Sequence, residues 1–508
     1  MDTIVTMAIV GTGQLSGKDV TTATPVDTLA AQLPADDAER KLLLTAGAWS
    51  LYRQAGRQTK PAPEVPVPAA EESLPVCSTT AANLLESLLQ KEHDEVLPEA
   101  LERLKQLGQR LPYELLPQAL SYGVQSKDIR AALISVIGER GRWLGQFNPG
   151  WSWVAQFLAG DTLPDDAETI WQEGTIGQRS EILRQLRAVD AAKARDWLNA
   201  VWKQEKAEAR NKFLATFKTG LSAEDEGFLE KALDDRSEGV RTTAAELLAR
   251  IPASALAQRM LARADAILTY ANGIFKLKEP KEIGNTWQRD GIPPAPKSSK
   301  DNTWYQLQVL SLIPPTHWEE RFAATPDALI KAAKAHKRKN DLLLCWSYAA
   351  MLHQTSSWAF LLWQWLCEHR DRGTVRDMYA SEIHAALTGM VSQAEAEAYL
   401  LQYPADSEQW QTALPTMTGT WSQAFAEHYL QSLRNAVASI KEKMQPVNAW
   451  SATLTNAACS LPPACFEAAM EPLELPEAKD WQIHYWRHEL DTFIELVRTR
   501  KRILEEII

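Results

Sequence analysis

The sequence predicts an all-α protein, an α-solenoid followed by a C-terminal region of helical hairpins rich in tryptophan. Only 23 of its 508 residues are glycine, which disfavours Gly-rich β architectures. Hydrophobic residues make up 45 % and charged residues 23 % of the chain, values typical of a globular protein with a sizeable core. Apolar residues also recur at helical spacing, in segments rich in the strong helix formers Ala, Leu, Glu, Gln and Arg.

The first predicted segment covers residues 1–58, and its apolar start precedes an amphipathic helix around Asp36 to Gln54. Residues 59–78 follow as a linker with five prolines, a composition that predicts an extended, semi-rigid tether. Near the start, Gly11 to Asp19 resembles a phosphate-binding loop. A phosphate-binding loop needs a glycine, four further residues and then Gly-Lys followed by Ser or Thr. Here Thr12 occupies the position of the first glycine, and Asp19 occupies the Ser/Thr position, where its carboxylate would repel phosphate. We expect a simple loop and no bound nucleotide or other cofactor.

Residues 79–278 carry the strongest helical signal. Ser237 is a plausible N-cap, and Pro252 ends the helix that follows it. One apolar stripe runs along that helix at offsets typical of an amphipathic helix, through Val240, Ala244, Leu247, Leu248 and Ile251.

The same pattern recurs, and in each copy an arginine follows the first apolar position. These arginines are Arg130, Arg179, Arg210 and Arg241, at spacings of 49, 31 and 31 residues. Paired helices at such a period predict a stacked α-solenoid. The alternative is an unspecialised helical bundle in which this spacing arises by chance. The pattern resembles HEAT-type repeats, in which the apolar residue packs between paired helices while the arginine bonds to an aspartate in a neighbouring turn.

Residues 279–302 are predicted to be an irregular loop because they contain four prolines and two glycines. A loop of this length is uncommon unless it is functional. Trp287 lies in this polar stretch, where it is either an exposed or loop-anchoring residue, or a packing residue of the loop. Residues 303–508 are predicted to form a C-terminal helical domain whose tryptophans, such as Trp358 and Trp365, lie at helical spacing and indicate core packing.

The net charge is −11, which weighs against a surface that binds nucleic acid everywhere but does not exclude a local basic patch. Five scattered cysteines without a CxxC pair predict reduced, mostly buried thiols. There is no positively charged region before the apolar N-terminus, and no run reaches the roughly 18 apolar residues that a membrane span needs. We therefore expect a cytoplasmic protein.

The most concentrated basic tract contains Lys331, Lys334, Lys337, Arg338 and Lys339. Asn340 looks like the end of a helix, where the helix dipole favours cations, so a solvated helix end is the simplest interpretation. Docking of an acidic protein partner and binding of nucleic acid are the two functional alternatives. A second tract, at Arg498 to Arg502, has the same alternatives.

Catalytic and metal-binding signatures are weak. His484 and His488 are one helical turn apart, as zinc ligands can be, but a third ligand is missing, so a polar helix face is favoured. No Gly-x-Ser-x-Gly motif and no local cysteine-nucleophile signature occurs. We therefore expect a protein that is not an enzyme and that holds no metal.

Three short motifs carry a family resemblance: residues 8–12, then Asp290-Gly291-Ile292 with the following 304–307 and 317–318, and the closing helix from Trp486 to Arg500. In these motifs the chain resembles an uncharacterised bacterial family of large helical proteins. Its members are typically encoded beside a MoxR-type AAA+ ATPase, a von Willebrand factor A domain protein and a SWIM zinc-finger protein. The resemblance implies protein partners, and it carries over no catalytic residue.

These observations predict a scaffold or adaptor that binds protein partners, with the AAA+ ATPase and the von Willebrand factor A protein as the partners that the resemblance implies. The alternative is a HEAT-like protein that cradles nucleic acid in a basic concave groove. That alternative requires the four repeat arginines to point into one groove rather than bridge neighbouring repeats. A third hypothesis places an enzymatic site at the junction of the two halves, with His484 and His488 as metal ligands.

Overall fold

The computed structural model describes residues 3–12, 21–34, 36–55, 66–159, 163–164, 166–280, 282–296, 303–369, 374–376, 378–440, 448–476 and 481–508. The chain is mostly helical, with 69 % helix and 29 α-helices in the described part. It divides into two compact units, Met1–Ala69 and Ala70–Ile508. None of the described helices is both long and apolar enough to cross a lipid bilayer.

The first unit contains three helices, α1 (Thr3–Val10), α2 (Val26–Ala30) and α3 (Ala38–Ala55). Helix α3 lies where the amphipathic pattern predicts one, and it packs against both α1 and α2. The turn before α2 is held by Asp27, which accepts hydrogen bonds from the backbone N–H of Thr22 at 2.7 Å and from its hydroxyl at 2.6 Å. Most of the loop predicted at Gly11 to Asp19 lies outside the described residues.

The second unit begins with an extended segment rather than a free tether. The backbone N–H of Cys77 donates to the Arg110 carbonyl at 3.0 Å, and the Arg110 N–H donates to the Pro75 carbonyl at 2.9 Å. Glu72 accepts a hydrogen bond of 2.8 Å from the backbone N–H of Glu139, at the start of a helix. Residues 70–78 of the predicted linker therefore belong to the folded unit, whereas residues 59–65 lie outside the described part.

Helices fill the next two hundred residues, as the periodicity predicts. They are α4 (Thr79–Leu89), α5 (Leu97–Gln106), α6 (Leu116–Gln125), α7 (Arg130–Val136), α8 (Gly138–Leu144), α9 (Trp153–Ala159), α10 (Ala167–Glu173), α11 (Ile176–Val189), α12 (Ala191–Val201), α13 (Ala207–Ala215), α14 (Glu226–Ala232), α15 (Glu238–Ala249) and α16 (Ala255–Ile267). Short 3-10 turns precede or follow several of them, at Asp94–Val96, Tyr113–Leu115, Pro149–Trp151, Thr216–Lys218 and Ala223–Asp225.

The predicted stripe on α15 is buried in full, because every one of its five apolar residues is less than a tenth exposed. Ser237 does occupy the N-cap position of α15, but its side chain makes no capping hydrogen bond. The Asp235 carboxylate accepts the Ser237 backbone N–H at 2.8 Å, and this bond holds the turn that leads into the helix. Helices α11, α13 and α15 pack successively on one another, as helices of neighbouring repeats would.

Residues 268–277 form a β-hairpin, so the prediction of continuous helix up to Lys278 is wrong there. Strands β1 (Leu268–Ala271) and β2 (Ile274–Leu277) pair antiparallel, with Leu268 opposite Leu277. The two residues between them, Asn272 and Gly273, both have positive φ, at 52° and 75°. An Asn-Gly pair is the strongest short-range hairpin signal, because only such residues adopt the two left-handed positions of the favoured turn at low cost.

Replacing Gly273 with alanine is expected to lower the free energy of unfolding by about 1 kcal/mol, because an L side chain at positive φ is strained. Space is not the cause, since no atom lies within 4 Å of the added Cβ. The control is Gly227→Ala, which lies in α14 with equally open space and should stabilise the protein instead. The midpoints of chemical denaturation measure both effects, and equal midpoints for the two variants would contradict the expectation.

The remaining described elements run from the hairpin to the end of the chain. They are α17 (Asn285–Arg289), α18 (Thr303–Leu310), α19 (Pro315–Phe322), α20 (Pro326–Lys334), α21 (Lys339–His353), α22 (Ser356–Cys367), β3 (Thr374–Val375), β4 (Met378–Tyr379), α23 (Ala380–Thr388), α24 (Gln393–Leu400), α25 (Glu408–Ala413), α26 (Gln423–Ser439), α27 (Asn448–Ser460), α28 (Phe466–Met470) and α29 (Trp481–Glu506), with 3-10 turns at Leu414–Thr416 and Pro463–Cys465. Strands β3 and β4 form a second antiparallel hairpin.

Tryptophans of the C-terminal half form the core, as their spacing predicts. The ring of Trp346 meets that of Trp358 edge to face at 5.2 Å, and both are fully buried. The Trp358 indole N–H donates to Glu319 at 2.7 Å, so its polar atom is satisfied inside the core. Two tryptophans of this half depart from that pattern: Trp304 is half-buried, and Trp481, in the first turn of α29, is 68 % exposed.

The helical array of the second unit closes on itself. Helix α29 packs against α27 and α28, and also against α4 and α5 at the start of the second unit. Its Arg500 pairs with Glu99 of α5, and near its end the Ile507 carbonyl accepts a hydrogen bond from Arg103 at 3.2 Å. Residues 79–278 and 303–508 therefore share one compact unit, and the predicted boundary between them does not separate two domains.

Candidate functional site

A basic pocket lies between strand β2 and the turn that joins α20 to α21. Its volume is about 470 Å³. Five basic side chains line it, whereas only one of the described lining residues, Glu279, is acidic. The basic residues are Lys276, Lys278, His336, Lys337 and Arg338.

The hairpin supplies two of these lysines through the period-two alternation of a strand. Phe275 points inward, where its ring meets that of Trp346 edge to face at 5.5 Å. Lys276 therefore points outward and is exposed, as is Lys278 just past the strand. The side-chain amide of Gln306 donates to the Lys278 carbonyl at 2.8 Å, which fixes the end of the hairpin against α18.

The other wall of the pocket is the N-terminal end of α21. Arg338 occupies the N-cap position without a capping side-chain hydrogen bond, and its backbone N–H donates to His336 Nδ1 at 3.1 Å. The helix dipole places partial positive charge at this end, so Lys337 and Arg338 add full positive charges where the helix itself already favours an anion. The positive charges repel one another when the pocket is empty, and a bound anionic ligand would relieve this repulsion.

Internal neutralisation of this charge is incomplete. Asp341 lies 3.9 Å from the Arg338 guanidinium, at the long limit of an ion pair. Within the described ranges, Lys276, Lys278 and Lys337 have no ion-pair partner. Burial, and then the charges of Lys337 and Arg338, lower the pKa of His336, so the ring is neutral near pH 7 and leaves the lysines and arginine as the charged groups.

The pocket divides the basic tract identified in the sequence. Lys337 and Arg338 line it, whereas Lys331, Lys334 and Lys339 are exposed residues that do not. The expectation that Asn340 ends a helix is wrong, because α20 ends at Lys334 and Asn340 lies in the first turn of α21. Only Lys331 and Lys334 occupy a last helical turn, where cations need no functional explanation.

Trp287 belongs to the packing of its loop, and its burial disfavours the alternative of an exposed residue that meets a partner. Its ring is 7 % exposed, meets Tyr305 edge to face at 6.1 Å and lies 5.0 Å below the Arg263 guanidinium. The adjacent Asp290 is buried and pairs with Arg263 at 2.7 Å. Gly291 then passes so close to α15 that a Cβ there would lie 2.7 Å from the Arg241 carbonyl oxygen.

Two of the four repeat arginines, Arg179 and Arg210, bond to the turn that precedes a following helix, and Arg241 bonds to the short helix α17. Arg179 pairs with Glu205 before α13, and Arg210 pairs with Asp235 before α15 at 2.8 Å. Arg241 donates to the Gln288 carbonyl at 2.9 Å. Arg130 instead donates to the Gly123 carbonyl at 2.7 Å, within the preceding helix α6.

The other sequence candidates are dispersed. His484 and His488 are both exposed on α29, and the described part of the chain contains no group of three or more side chains able to hold a metal ion. In the second basic tract Arg500 is buried, whereas Arg498 and Arg502 pair with glutamates on their own helix.

A buried cysteine and a buried histidine are in contact, and no sequence motif indicates this contact because the two residues are 17 positions apart. Cys367 Sγ lies 3.5 Å from His384 Nε2, and both side chains are buried. Burial also raises the pKa of the Cys367 thiol, so a thiolate nucleophile is disfavoured. All five cysteines are free, and four of them are buried.

One family's sequence model matches residues 3–507 of the chain, and that family is described as a family of unknown function (DUF5691). No curated protein matches the chain, and no solved structure matches it. The match extends over both compact units and includes every residue of the basic pocket.

Proposed function

We propose, from the premise that the chain belongs to the DUF5691 family of unknown function, that it is a non-enzymatic scaffold which binds an acidic segment of a protein partner in the basic pocket. The observation that carries the proposal is that three lysines without an ion-pair partner in the described residues, Lys276, Lys278 and Lys337, line one pocket at the N-terminal end of α21. Burying or crowding like charges costs free energy unless a counter-charge arrives, so a partner's carboxylates are the missing component.

The positive charge of the pocket contrasts with the negative net charge of the whole chain. The net charge of the whole chain is −11, yet four full positive charges face one carboxylate across about 470 Å³. A volume of this size receives a few side chains or a small ligand. It is too small to track a nucleic-acid backbone over several phosphates, and this favours a short acidic peptide segment.

The remaining surface suits a scaffold built from HEAT-like repeats. Stacked helices expose long surfaces, and each repeat contacts only its neighbours. By the resemblance in its sequence motifs, the partners would be a MoxR-type AAA+ ATPase and a von Willebrand factor A domain protein in the cytoplasm. The mechanism would be positional: the pocket holds one partner, while the repeat surface holds a second against it.

The nucleic-acid alternative receives less support from the repeat arginines. Their guanidinium groups are already hydrogen-bonded to neighbouring turns or helices, so they are poorly available to phosphates. If nucleic acid were the ligand, affinity would fall linearly with salt on a double-logarithmic plot, with a slope set by the number of phosphates contacted.

The double variant Lys276→Glu with Lys337→Glu is expected to weaken partner binding at least about tenfold, which corresponds to about 1.4 kcal/mol. The partner is first captured from the native host with the tagged full chain and identified by mass spectrometry. Its affinity is then measured with purified proteins by calorimetry. Reversing two pocket charges places carboxylates against the partner's own, so the attraction becomes repulsion.

The matched control is Lys331→Glu with Lys334→Glu, which reverses two exposed charges of the same tract outside the pocket. We expect a loss below about threefold for this control, because exposed rim charges contribute little affinity. Equal losses for both double variants, or capture of nucleic acid instead of protein, would show that the pocket is not the partner site.

A further inference from the structure

A second pocket lies at the opposite end of α21 from the basic one. Its volume is about 450 Å³. Four parts of the fold enclose it: the end of α15, the first half of α16, the loop that leads into α19, and the end of α21. It is independent of the basic pocket, with which it shares no lining residue.

The wall of this second pocket is mainly apolar. Leu312 and Ile313 are almost completely buried beneath it, and Leu261 contributes a half-buried side chain from α16. Small-molecule sites have this composition, with mostly hydrophobic surface and a few polar groups that fix the ligand's orientation. The volume also lies within the range of such sites.

One full charge lines the second pocket. Arg250 supplies it, and none of the described lining residues is acidic. His353 does not add a second charge: burial lowers the pKa of its imidazole, a hydrogen bond with the Leu312 carbonyl at 2.9 Å opposes that shift, and the charge of Arg250 lowers the pKa further. Arg250 has no ion-pair partner in the part of the chain that the structure describes.

Helix ends alone do not account for this arrangement. Arg250 is the C-cap residue of α15, where a cation is favourable, and α21 also ends at the pocket. Each helix end contributes only about half a negative charge, and water screens it at a half-exposed position. The contribution of Arg250 to the free energy of unfolding, as a C-cap of α15, can therefore be measured separately from its contribution to ligand affinity.

We propose that this second pocket binds a small apolar carboxylate. The carboxylate oxygens accept hydrogen bonds from the Arg250 guanidinium, whose planar fork matches a carboxylate in two parallel bonds. The hydrocarbon part lies against Leu261, Leu312 and Ile313. An organic acid and the free carboxyl terminus of a peptide with an apolar last residue share this chemistry.

The test titrates the full chain with sodium octanoate, with 1-octanol as the uncharged probe of equal chain length, and follows binding by calorimetry and by saturation-transfer NMR. Octanoate is expected to bind at least tenfold more tightly than octanol. Arg250→Gln should remove that difference, and Leu261→Trp should weaken both probes by filling the pocket. Arg236→Gln, an exposed arginine outside this pocket, is the control and should leave octanoate binding unchanged.

A second arm separates the two sources of carboxylate. Acetyl-leucyl-leucine with a free carboxyl group is compared with its amide, and the acid alone should bind with dependence on Arg250. Binding of either acid that requires Arg250 supports the proposal. Equal affinity for octanoate and octanol overturns it, as does an Arg250→Gln variant that denatures at a lower midpoint yet binds octanoate like the wild type, because Arg250 would then act only as a helix cap.

Discussion

Replacing Asp225 with alanine is expected to lower the free energy of unfolding by about 3–5 kcal/mol, because the change leaves a buried arginine without its counter-ion. The side chains of Asp225 and Arg187 are both completely buried. Two parallel hydrogen bonds join them, at 2.9 Å and 2.8 Å, and Arg195 donates to the same carboxylate at 2.9 Å. The loss of Asp225 therefore strands a charge that has no access to water.

The position of this pair explains why the effect extends beyond one contact. Arg187 also donates to the carbonyls of Thr219, at 3.0 Å, and Gly220, at 2.7 Å. It thereby ties α11 to the turn that precedes α14, so the pair joins two segments that are more than thirty residues apart in sequence. Chemical denaturation monitored by tryptophan fluorescence measures the loss. Glu224→Ala is the neighbouring control, because Glu224 is exposed and lies 3.9 Å from Arg195, where an ion pair contributes about 0–1 kcal/mol.

The difference between wild type and Asp225→Ala should also depend on pH. Burial by itself would raise the pKa of the Asp225 carboxyl, but hydrogen bonds from Arg187 and the Ser222 backbone N–H, together with the positive charge of Arg187, hold it below its ordinary value. A carboxyl with a depressed folded-state pKa stabilises fully above its unfolded pKa of about 3.9, and this contribution is lost as pH falls through the folded value. A difference in stability that stays constant from pH 6 to pH 3 would contradict this assignment.

Replacing Arg500 with alanine is expected to cost about 2–4 kcal/mol, because two buried carbonyl acceptors lose their donor, and to open the closure of the helical array. Arg500 is 2 % exposed and donates to the carbonyls of Ala458 at 2.7 Å and Leu461 at 2.8 Å. Its guanidinium also pairs with Glu99 of α5. One side chain thus joins the last helix both to the end of α27 and to α5, so its removal leaves buried acceptors without a donor.

Hydrogen exchange distinguishes a local opening from general destabilisation. In Arg500→Ala, amide protection should fall first in α29 and in α4–α5, which pack against α29, and less in α11–α15, which have no extensive contact with α29 in the described residues. Arg498→Ala is the matched control on the same helix. Its partner Glu495 lies one turn away and both side chains are about half exposed, so we expect a loss of roughly 0.2–1 kcal/mol. A uniform fall in protection across the unit would argue against a specific role in closure.

The candidate site shows how far residue patterns reach. Lys337 and Arg338 stand out in the sequence as part of a basic tract, whereas the helical prediction for residues 79–278 places Lys276 and Lys278 in a helix. The Asn272-Gly273 pair is the sequence signal against a helix there, since it specifies a tight hairpin turn. A hairpin at these residues places alternate lysines on its outer face. These lysines reach Lys337 and Arg338, some sixty residues later in the chain, because β2 packs against α20. No local sequence pattern encodes that packing.

Apolar spacing and helix propensity specify the helical class, the position of most helices and the faces that they bury, because these signals act within a few residues. Long-range packing specifies the remaining features: the turns and helices to which the arginines bond, the enclosure of Trp287, the docking of residues 70–78 and the contact of α29 with α5. These outcomes depend on contacts between residues up to about four hundred positions apart, such as Glu99 and Arg500. Long-range partners are selected by shape, by desolvation and by the pairing of buried charges, and those terms are set only when the whole unit has folded.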